Sequence, residues 1–257
     1  MPVSKLFRPE LMLCVPPQLD GEEARAVVDA GLRAGAKRVR LIGTTMAAAL
    51  GAGLEIGRPQ GNMVIDIGGG TTDIAVISMN SAVVKESVPL AGDKVDEAII
   101  KYMRRRHNLH IGERTAERIK MQLAVVSPEP PVGAMDVTGR SIISGLPRTE
   151  HIDASEISEA VEEVAAGIIE AIHSVLERTP PELASDIYQN GITLTGNGAM
   201  LGGLCRRVQT SLRLPCLLAD NPGDCVVRGT GMALENMELY GDLVYDYHKP
   251  VRYDFRR

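Results

Sequence analysis

Tryptophan is absent from the 257 residues, and there are only two phenylalanines and six tyrosines. So few aromatic side chains leave no platform on which exposed bases would stack. The formal net charge of −5 argues equally against a basic nucleic-acid surface, so no nucleic-acid partner is expected. Cys14, Cys205, Cys216 and Cys225 form no C-x-x-C pair and no cluster with the five histidines, so neither a zinc site nor a disulfide framework is indicated. Free thiols of this kind suit a reduced cytoplasm. There is no apolar run of about eighteen residues and no opening pattern of basic and then apolar segments, so a soluble chain without a secretory leader is expected. No strand is followed by G-x-G-x-x-G, and G-x-x-x-x-G-K-[ST] does not occur, so any nucleotide would be held by another architecture. No nucleophile motif with a Ser/His/Asp or Cys/His order emerges.

What the sequence does contain is Asn62-Met-Val-Ile-Asp66-Ile-Gly68-Gly69-Gly70-Thr71-Thr72-Asp73-Ile-Ala-Val-Ile-Ser78. Two short β-branched runs, Met63 to Ile67 and Ile74 to Ile77, read as buried strands joined by a tight turn. Three consecutive glycines are more than an ordinary two-residue turn needs. Without Cβ atoms they can take positive φ and bring backbone N–H groups against an anion. Thr71 and Thr72 would add hydroxyl donors, and Asp66 at the strand end could hold a Mg²⁺ ion through water. The plainer alternative is a Gly-rich hairpin with no ligand.

Around this hairpin the chain alternates. Leu11 to Val15 is a strand stopped by Pro16-Pro17. Asp20 and Glu23 stand at capping-box spacing before a helix with Ala24, Val27, Val28 and Leu32 inward and Gly35 at its end. Val39 to Ile42 is a strand, and Thr44 or Thr45 would cap a short helix through Leu50. Ala82 to Val88 extends the hairpin by a third strand. Asp93 would cap a helix whose end carries Arg104, Arg105, Arg106 and His107, read as a solvated terminus. Gly112 to Lys120 opens another helix, where Glu117 and Lys120 lie at i, i+3 and would make a weak surface pair. Met135 to Val137, Ser141 to Ile143 and the segment around His151 read as short strands, with Thr138-Gly139-Arg140 as a turn. Asp153 and Glu156 form a second capping box, and Pro180-Pro181 close the long helix behind it. Gly191 to Thr195 is a strand whose Gly196-Asn197-Gly198-Ala199 turn leads directly into a helix, a second anion or nucleotide-edge site. Asn197 there would tolerate the left-handed region. Leu214 to Ala219 is a last strand, and Arg228-Gly229-Thr230-Gly231 leads into a closing helix through Met237.

Several blocks in order, Asp66 to Thr72, Gly92-Asp93 with Asp96-Glu-Ala-Ile, Ile111 to Lys120, Ser144-Gly-Leu-Pro-Arg148, Thr179 to Ala184 and Leu194 to Ala199, resemble the bacterial actins of the MreB/Mbl family across nearly the whole chain. The glycine hairpin alone would say only actin, sugar kinase or DnaK-type chaperone superfamily. The resemblance implies an α/β, actin-like ATPase fold of the ribonuclease H-like kind. It also implies ATP and Mg²⁺ as cofactors, polymerisation into filaments and a part in setting rod cell shape. Asp66, Gly68, Gly69, Gly70, Thr71 and Thr72 would be the second phosphate hairpin, with Thr71 catalytic in placing the attacking water. Glu117, Arg118, Ile119 and Lys120 would border the ribose and adenine, and Gly196, Asn197, Gly198 and Ala199 would close over the nucleotide. Leu6 and Phe7, between Lys5 and Arg8, are either ordinary core or a membrane-dipping tip. They fall where the family carries its membrane-inserting loop, which implies a cytoplasmic protein lying peripherally at the inner face of the membrane.

Two departures qualify the resemblance. The family opens with a first phosphate loop of the type Asp-Leu-Gly-Thr-Ala-Asn, and this sequence starts after it. Where the family has Ile-Glu-Glu-Pro before Met-Ala-Ala-Ala, this chain reads Ile42-Gly43-Thr44-Thr45, with Thr44 at the position of the water-activating glutamate. Loss of one positioned catalytic group commonly costs about a hundredfold, so weak or absent ATPase is expected. The second actin-like domain, 62–92 and 153–224, is expected complete, with 93–152 inserted as a small subdomain. The first, 1–61 joined by 225–257, is expected truncated at the N-terminus. Partners would be further copies of the chain or a full-length paralogue, and cell-wall synthesis scaffold proteins. The alternatives are a non-catalytic paralogue that modulates filaments of a full-length relative and a small-molecule kinase of the same superfold.

Overall fold

Met63, Ile65 and Ile67 alternate with Val64 and Asp66, and this period of two places the two sets on opposite faces of one strand. In the computed structural model, which describes residues 8–127 and 129–246, that strand is β3 (Asn62–Ile67). It sits at the centre of a five-stranded sheet with β4 (Thr72–Ser78), β5 (Ser81–Val88), β9 (Ile192–Thr195) and β10 (Cys216–Leu218), in the order β10-β9-β3-β4-β5. The pairs of β9 with β10 and with β3 are parallel, whereas β3, β4 and β5 form an antiparallel meander.

One face of this sheet, carrying Met63, Ile65, Ile67, Ile74 and Val76, packs on α5 (Ala154–Glu177) and the elements before it. These are α3 (Gly92–His107), α4 (Glu113–Leu123), and a small sheet of β6 (Leu109–His110), β7 (Ala134–Ser141) and β8 (Pro147–Asp153). Ile157, Val161, Val164, Ile168, Ile172 and Val175 of α5 are all buried in this core, each worth about 1.5–3 kcal/mol relative to exposure. The opposite face, with Val64, Ala75 and Ile77, packs on the short apolar helix α2 (Thr44–Gly51). Beside it β1 (Glu10–Val15) and β2 (Arg38–Gly43) run parallel under α1 (Gly21–Arg33), and β11 (Val244–Tyr245) pairs with β2. The chain closes through α6 (Pro181–Asn190), α7 (Leu204–Leu212), α8 (Cys225–Glu235) and α9 (Met237–Tyr240). Among the described residues no helix is long and apolar enough to cross a membrane. Leu6 and Phe7 lie outside the described residues.

Both capping boxes form, at Asp20/Glu23 and Asp153/Glu156, and Gly35 takes the left-handed backbone at φ 107°. Several expectations are corrected. Thr138-Gly139-Arg140 is no turn: β7 runs through it, and the chain turns over Ile142 to Leu146, with Gly145 at φ 74°. Gly139 is needed because a Cβ there would stand 2.7 Å from the His110 carbonyl oxygen, a close approach inside a strand. The helix expected after Arg228-Gly229-Thr230-Gly231 already begins at Cys225. Gly229 lies against the Ala47 carbonyl and Gly51 against the Cys225 carbonyl, so these glycines let α2 and α8 cross at backbone contact. Pro180-Pro181 both ends α5 and starts α6, since proline suits the first helical position. Neither Thr44 nor Thr45 caps α2, whose N-cap is Gly43; Thr44 Oγ1 instead donates to the Val15 carbonyl at 2.9 Å. Asp93 does not cap α3, which starts from Ala91 without a side-chain cap.

Candidate functional site

The first amides of α3 need acceptors, and they find them in the glycine turn. Gly92 N–H donates to the Gly68 carbonyl (3.2 Å) and Asp93 N–H to the Gly69 carbonyl (2.8 Å). In a planar trans peptide the N–H points opposite to the C=O. Two carbonyls turned toward α3 therefore turn the amides of Gly69 and Gly70 away from it. Both glycines are exposed, and among the described residues neither amide donates to a backbone carbonyl. A pair of parallel, unsatisfied N–H groups at an exposed apex is an anion grip. The expected route to it is corrected: none of Gly68, Gly69 and Gly70 takes the left-handed backbone. Room is needed at Gly69, where a Cβ would stand 3.3 Å from Asp93 Oδ1.

Below the apex the register assembles a polar row. Asp66 pairs with Asp73 across β3 and β4, Asp73 with Ser87 on β5, and Asp66 with Thr195 on β9. Directly opposed residues share a face, and by parity this is the α2 face, one step beyond Val64 and Ala75. Thr195 Oγ1 donates to Asp66 Oδ1 at 2.8 Å, and Ser87 Oγ donates to Asp73 Oδ1. Burial pushes both carboxyls above the usual range. The Thr195 bond pulls Asp66 back and the Asp73 charge lifts it again. Ser87 and Thr71 pull Asp73 back. At the end of β1 partial burial likewise raises the Cys14 thiol, and the Asp66 charge adds to that.

The two threonines of the turn are not equivalent, contrary to the expectation that both add donors. Thr72 is fully buried and its hydroxyl donates to the Leu90 carbonyl at 2.6 Å, leaving Thr71 exposed at the apex.

Gly196 and Gly198 pack onto the same turn. Gly196 takes φ 83°, and a Cβ on Gly198 would stand 2.9 Å from the Ile67 carbonyl oxygen and 3.1 Å from that of Gly68. The segment Asn197–Met200 is a 3-10 turn that precedes α7, not its first turn. Gly196 rather than Asn197 takes the left-handed backbone; Asn197 is exposed and Ala199 buried.

On α4, Lys120 does not pair with Glu117. Its Nζ lies 2.7 Å from Asp96 Oδ2 and 3.3 Å from the Gly92 carbonyl, because the buried rim of α3 offers better acceptors than the solvated face of α4. Burial outweighs this ion pair and holds the Asp96 carboxyl above its usual range, and its Oδ1 has no partner. Glu117 and Arg118 are exposed, and Ile119 is in the core. The structure thus brings Asp66, the glycine turn, Gly196 and Gly198 into contact, and sets Lys120 beside Gly92 at the foot of that turn. Sequence reading missed Ser87, Thr195 and Asp96 as neighbours of the site. Asp73 is legible locally, since a turn of four residues between Ile67 and Thr72 puts it opposite Asp66.

Among the described residues no group of three or more His, Cys, Asp and Glu side chains is placed to hold a metal ion.

The family model described as MreB/Mbl protein matches residues 2–241. The chain is 47% identical over 237 residues to the cell shape-determining protein Mbl of Bacillus subtilis (strain 168), covering 92% of this chain and 71% of that one. To the cell shape-determining protein MreB of Escherichia coli (strain K12) it is 45% identical over 233 residues, covering 91% and 67%. Crystal structures of MreB5 of Spiroplasma citri bound to AMPPNP and to ADP superpose with TM-scores of 0.86 and 0.88 at 35% identity, covering 90% and 93% of this chain and 69% and 73% of those. The MamK double helical filament, at 20% identity and TM-score 0.74 with 89% and 69% covered, shares the fold.

Proposed function

We propose how this chain, which belongs to the MreB/Mbl family, uses the glycine turn in its work. It has the actin-like α/β fold and a cytoskeletal role in determining cell shape, and it binds nucleotide. ATP is the nucleotide we assign to it. The observation that carries the assignment is the pair of outward amides of Gly69 and Gly70 above the buried Asp66. Those amides and the Thr71 region would receive the β- and γ-phosphates. Gly196 to Ala199 would close the far side, and Glu117 to Lys120 would border the base and ribose. Mg²⁺ fits the donor set: Asp66 has one oxygen held by Thr195 and a second with no hydrogen-bond partner among the described residues, and a hydrated Mg²⁺ asks for one or two carboxylates. When bound, the ion would neutralise phosphate charge.

Domain organisation follows the same reading: 62–92 with 153–224 around the central sheet, 93–152 as its insert, and 1–61 with 225–257 opposite. The chain would self-associate into filaments on the cytoplasmic face of the membrane, with wall-synthesis proteins as partners. Thr44, bonded to Val15 at the start of α2, has no carboxylate with which to activate water, so hydrolysis would be slow. The comparisons do not favour a filament modulator or a sugar kinase. Titration with a fluorescent ATP analogue in competition with ATP, AMP and adenosine tests the site; equal affinity for ATP and adenosine refutes the phosphate grip. Sedimentation with and without ATP tests assembly.

A further inference from the structure

Leu90, just before α3, lies against Gly167 of α5, where a Cβ would stand 2.6 Å from Leu90 Cδ1. His107, at the far end of α3, lies 2.7 Å from Glu156 in the first turn of α5. The two helices therefore run antiparallel, and between them is an open groove of about 530 Å³, a volume in the range of ligand sites. Its uncharged lining is Leu90, Ala98, Tyr102, Ala160 and Val164, all buried or half-buried. Its charged lining is sorted by sign. On α3, Lys94 and Glu97 satisfy each other at 2.6 Å, which leaves Lys101, Arg105 and Arg106; on α5 stand Glu159 and Glu163. All five are exposed, and among the described residues none of their side chains forms an ion pair or a hydrogen bond. Where α5 meets α7, by contrast, Glu162 and Arg207 do join. Arg105 and Arg106, read from the sequence as part of a solvated helix end, thus belong to one wall of a groove whose other wall is acidic.

We propose that this groove docks an amphipathic helix of another protein, about three turns long, whose apolar stripe carries acidic side chains on the flank facing α3 and basic ones on the flank facing α5. The walls are helices, which spend their backbone groups internally, so there is no sheet edge for an extended peptide and a helix laid in the groove is the mode that fits. Ala98 and Ala160 give it room for close approach. Lys94, Ala98, Lys101 and Arg105 follow one another at i, i+4, i+7 and i+11, a single stripe about 17 Å long. Glu159 and Glu163, at i, i+4, make the facing stripe. A helix between them meets each unpaired charge with its opposite. A nucleic acid would be repelled by Glu159 and Glu163, and a concave groove with walls of both signs does not suit a flat anionic membrane.

Fluorescence anisotropy on the full chain with three labelled helical peptides tests this. All share a stripe of Leu and Ala; the first has Glu on one flank and Lys on the other, the second Glu on both, and the third Lys on both. The first should bind about tenfold tighter than the other two. No binding of the first peptide, or equal binding of all three, overturns the proposal. Lys101→Glu with Arg105→Glu changes two exposed side chains, and circular dichroism checks that the fold is kept. This double substitution should weaken the first peptide about tenfold and strengthen the third by a similar factor; an unchanged order of affinities overturns the proposal. Ala160→Gln fills the floor from the other wall and should weaken the first peptide, whereas unchanged affinity would place the peptide elsewhere and overturn the proposal. Sedimentation with ATP should be the same for the unsubstituted chain and the Lys101→Glu/Arg105→Glu variant. Its loss in the variant would assign the groove to a second copy of the chain and overturn the proposal as well.

Discussion

Replacing Thr195 by valine removes a single hydroxyl while keeping the branched shape, and the loss should depend on pH in a calculable way. The hydroxyl bonds Asp66 at 2.8 Å, and both residues are buried. A hydrogen bond to a neutral group contributes about 1 kcal/mol and one to a charged group about 2 kcal/mol. Above the raised Asp66 pKa, where the carboxyl is ionised, Thr195→Val should therefore lose about 2 kcal/mol. In acid, with Asp66 protonated, it should lose about 1. The difference of about 1 kcal/mol means that the substitution raises the Asp66 pKa further. The sign follows from the direction of the shift. Burial raises Asp66 in the folded state, so the folded protein holds this proton more tightly than the unfolded chain does. The Asp66 contribution to stability is then fully present below the unfolded value of about 4 and is lost as pH rises through the raised folded value. The substitution widens that loss, so the two stability curves should diverge through the window and run parallel above it. The extra methyl of valine adds about 0.8 kcal/mol or less at every pH, shifting the curves without tilting them. Urea unfolding of both proteins from pH 4 to pH 8 measures the divergence. Parallel curves across the whole range would show that Thr195 does not bear on the ionisation of Asp66.

Other substitutions probe the surroundings. Gly229→Ala places a methyl on the Ala47 carbonyl, and overpacking of this kind costs about 1–3 kcal/mol or more; a thermal melt should fall while nucleotide affinity per folded molecule holds. Gly70→Ala meets open space and Gly69→Ala meets Asp93, so the second should weaken ATP binding more than the first in the fluorescent-analogue titration. Lys120→Met leaves the buried Asp96 without its cation; the pair is 15–20% exposed, so the loss should fall below the 3–5 kcal/mol of a fully buried pair and shrink in acid as Asp96 is protonated. Thr44→Glu restores a carboxylate at the start of α2 and should raise phosphate release about a hundredfold.

The elements whose signals are local were legible. Both capping boxes, the alternation of Met63 to Ile67 and the inward stripe of α5 need no knowledge of the rest of the chain. The misread positions are those where a glycine or proline answers to a distant neighbour. Gly139 looks like a turn until the His110 backbone is known to lie against it, and Gly229 looks like a helix leader until α2 crosses there. Pro180-Pro181 reads as a stop because nothing local says that a new helix follows. The site divides in the same way. The glycine turn and its Asp66 stand in sequence, whereas Ser87 and Thr195 enter only through strand pairing, Thr195 from 129 residues away.

The same distinction explains why the turn is a grip at all. Three glycines permit many backbone paths, and freedom alone would leave the amides of Gly69 and Gly70 without direction. Helix α3 supplies the direction, because it starts without a side-chain cap and must find acceptors for its first amides. It takes the carbonyls of Gly68 and Gly69, and peptide planarity then aims the following amides the other way. The absence of a cap at Ala91 is therefore part of the site. A capping residue there would accept from the Asp93 amide and release the Gly69 carbonyl, the one that aims the Gly70 amide. Ala91→Ser, a change that would stabilise most helices by about 1 kcal/mol, should here leave the fold intact and weaken the preference for ATP over adenosine.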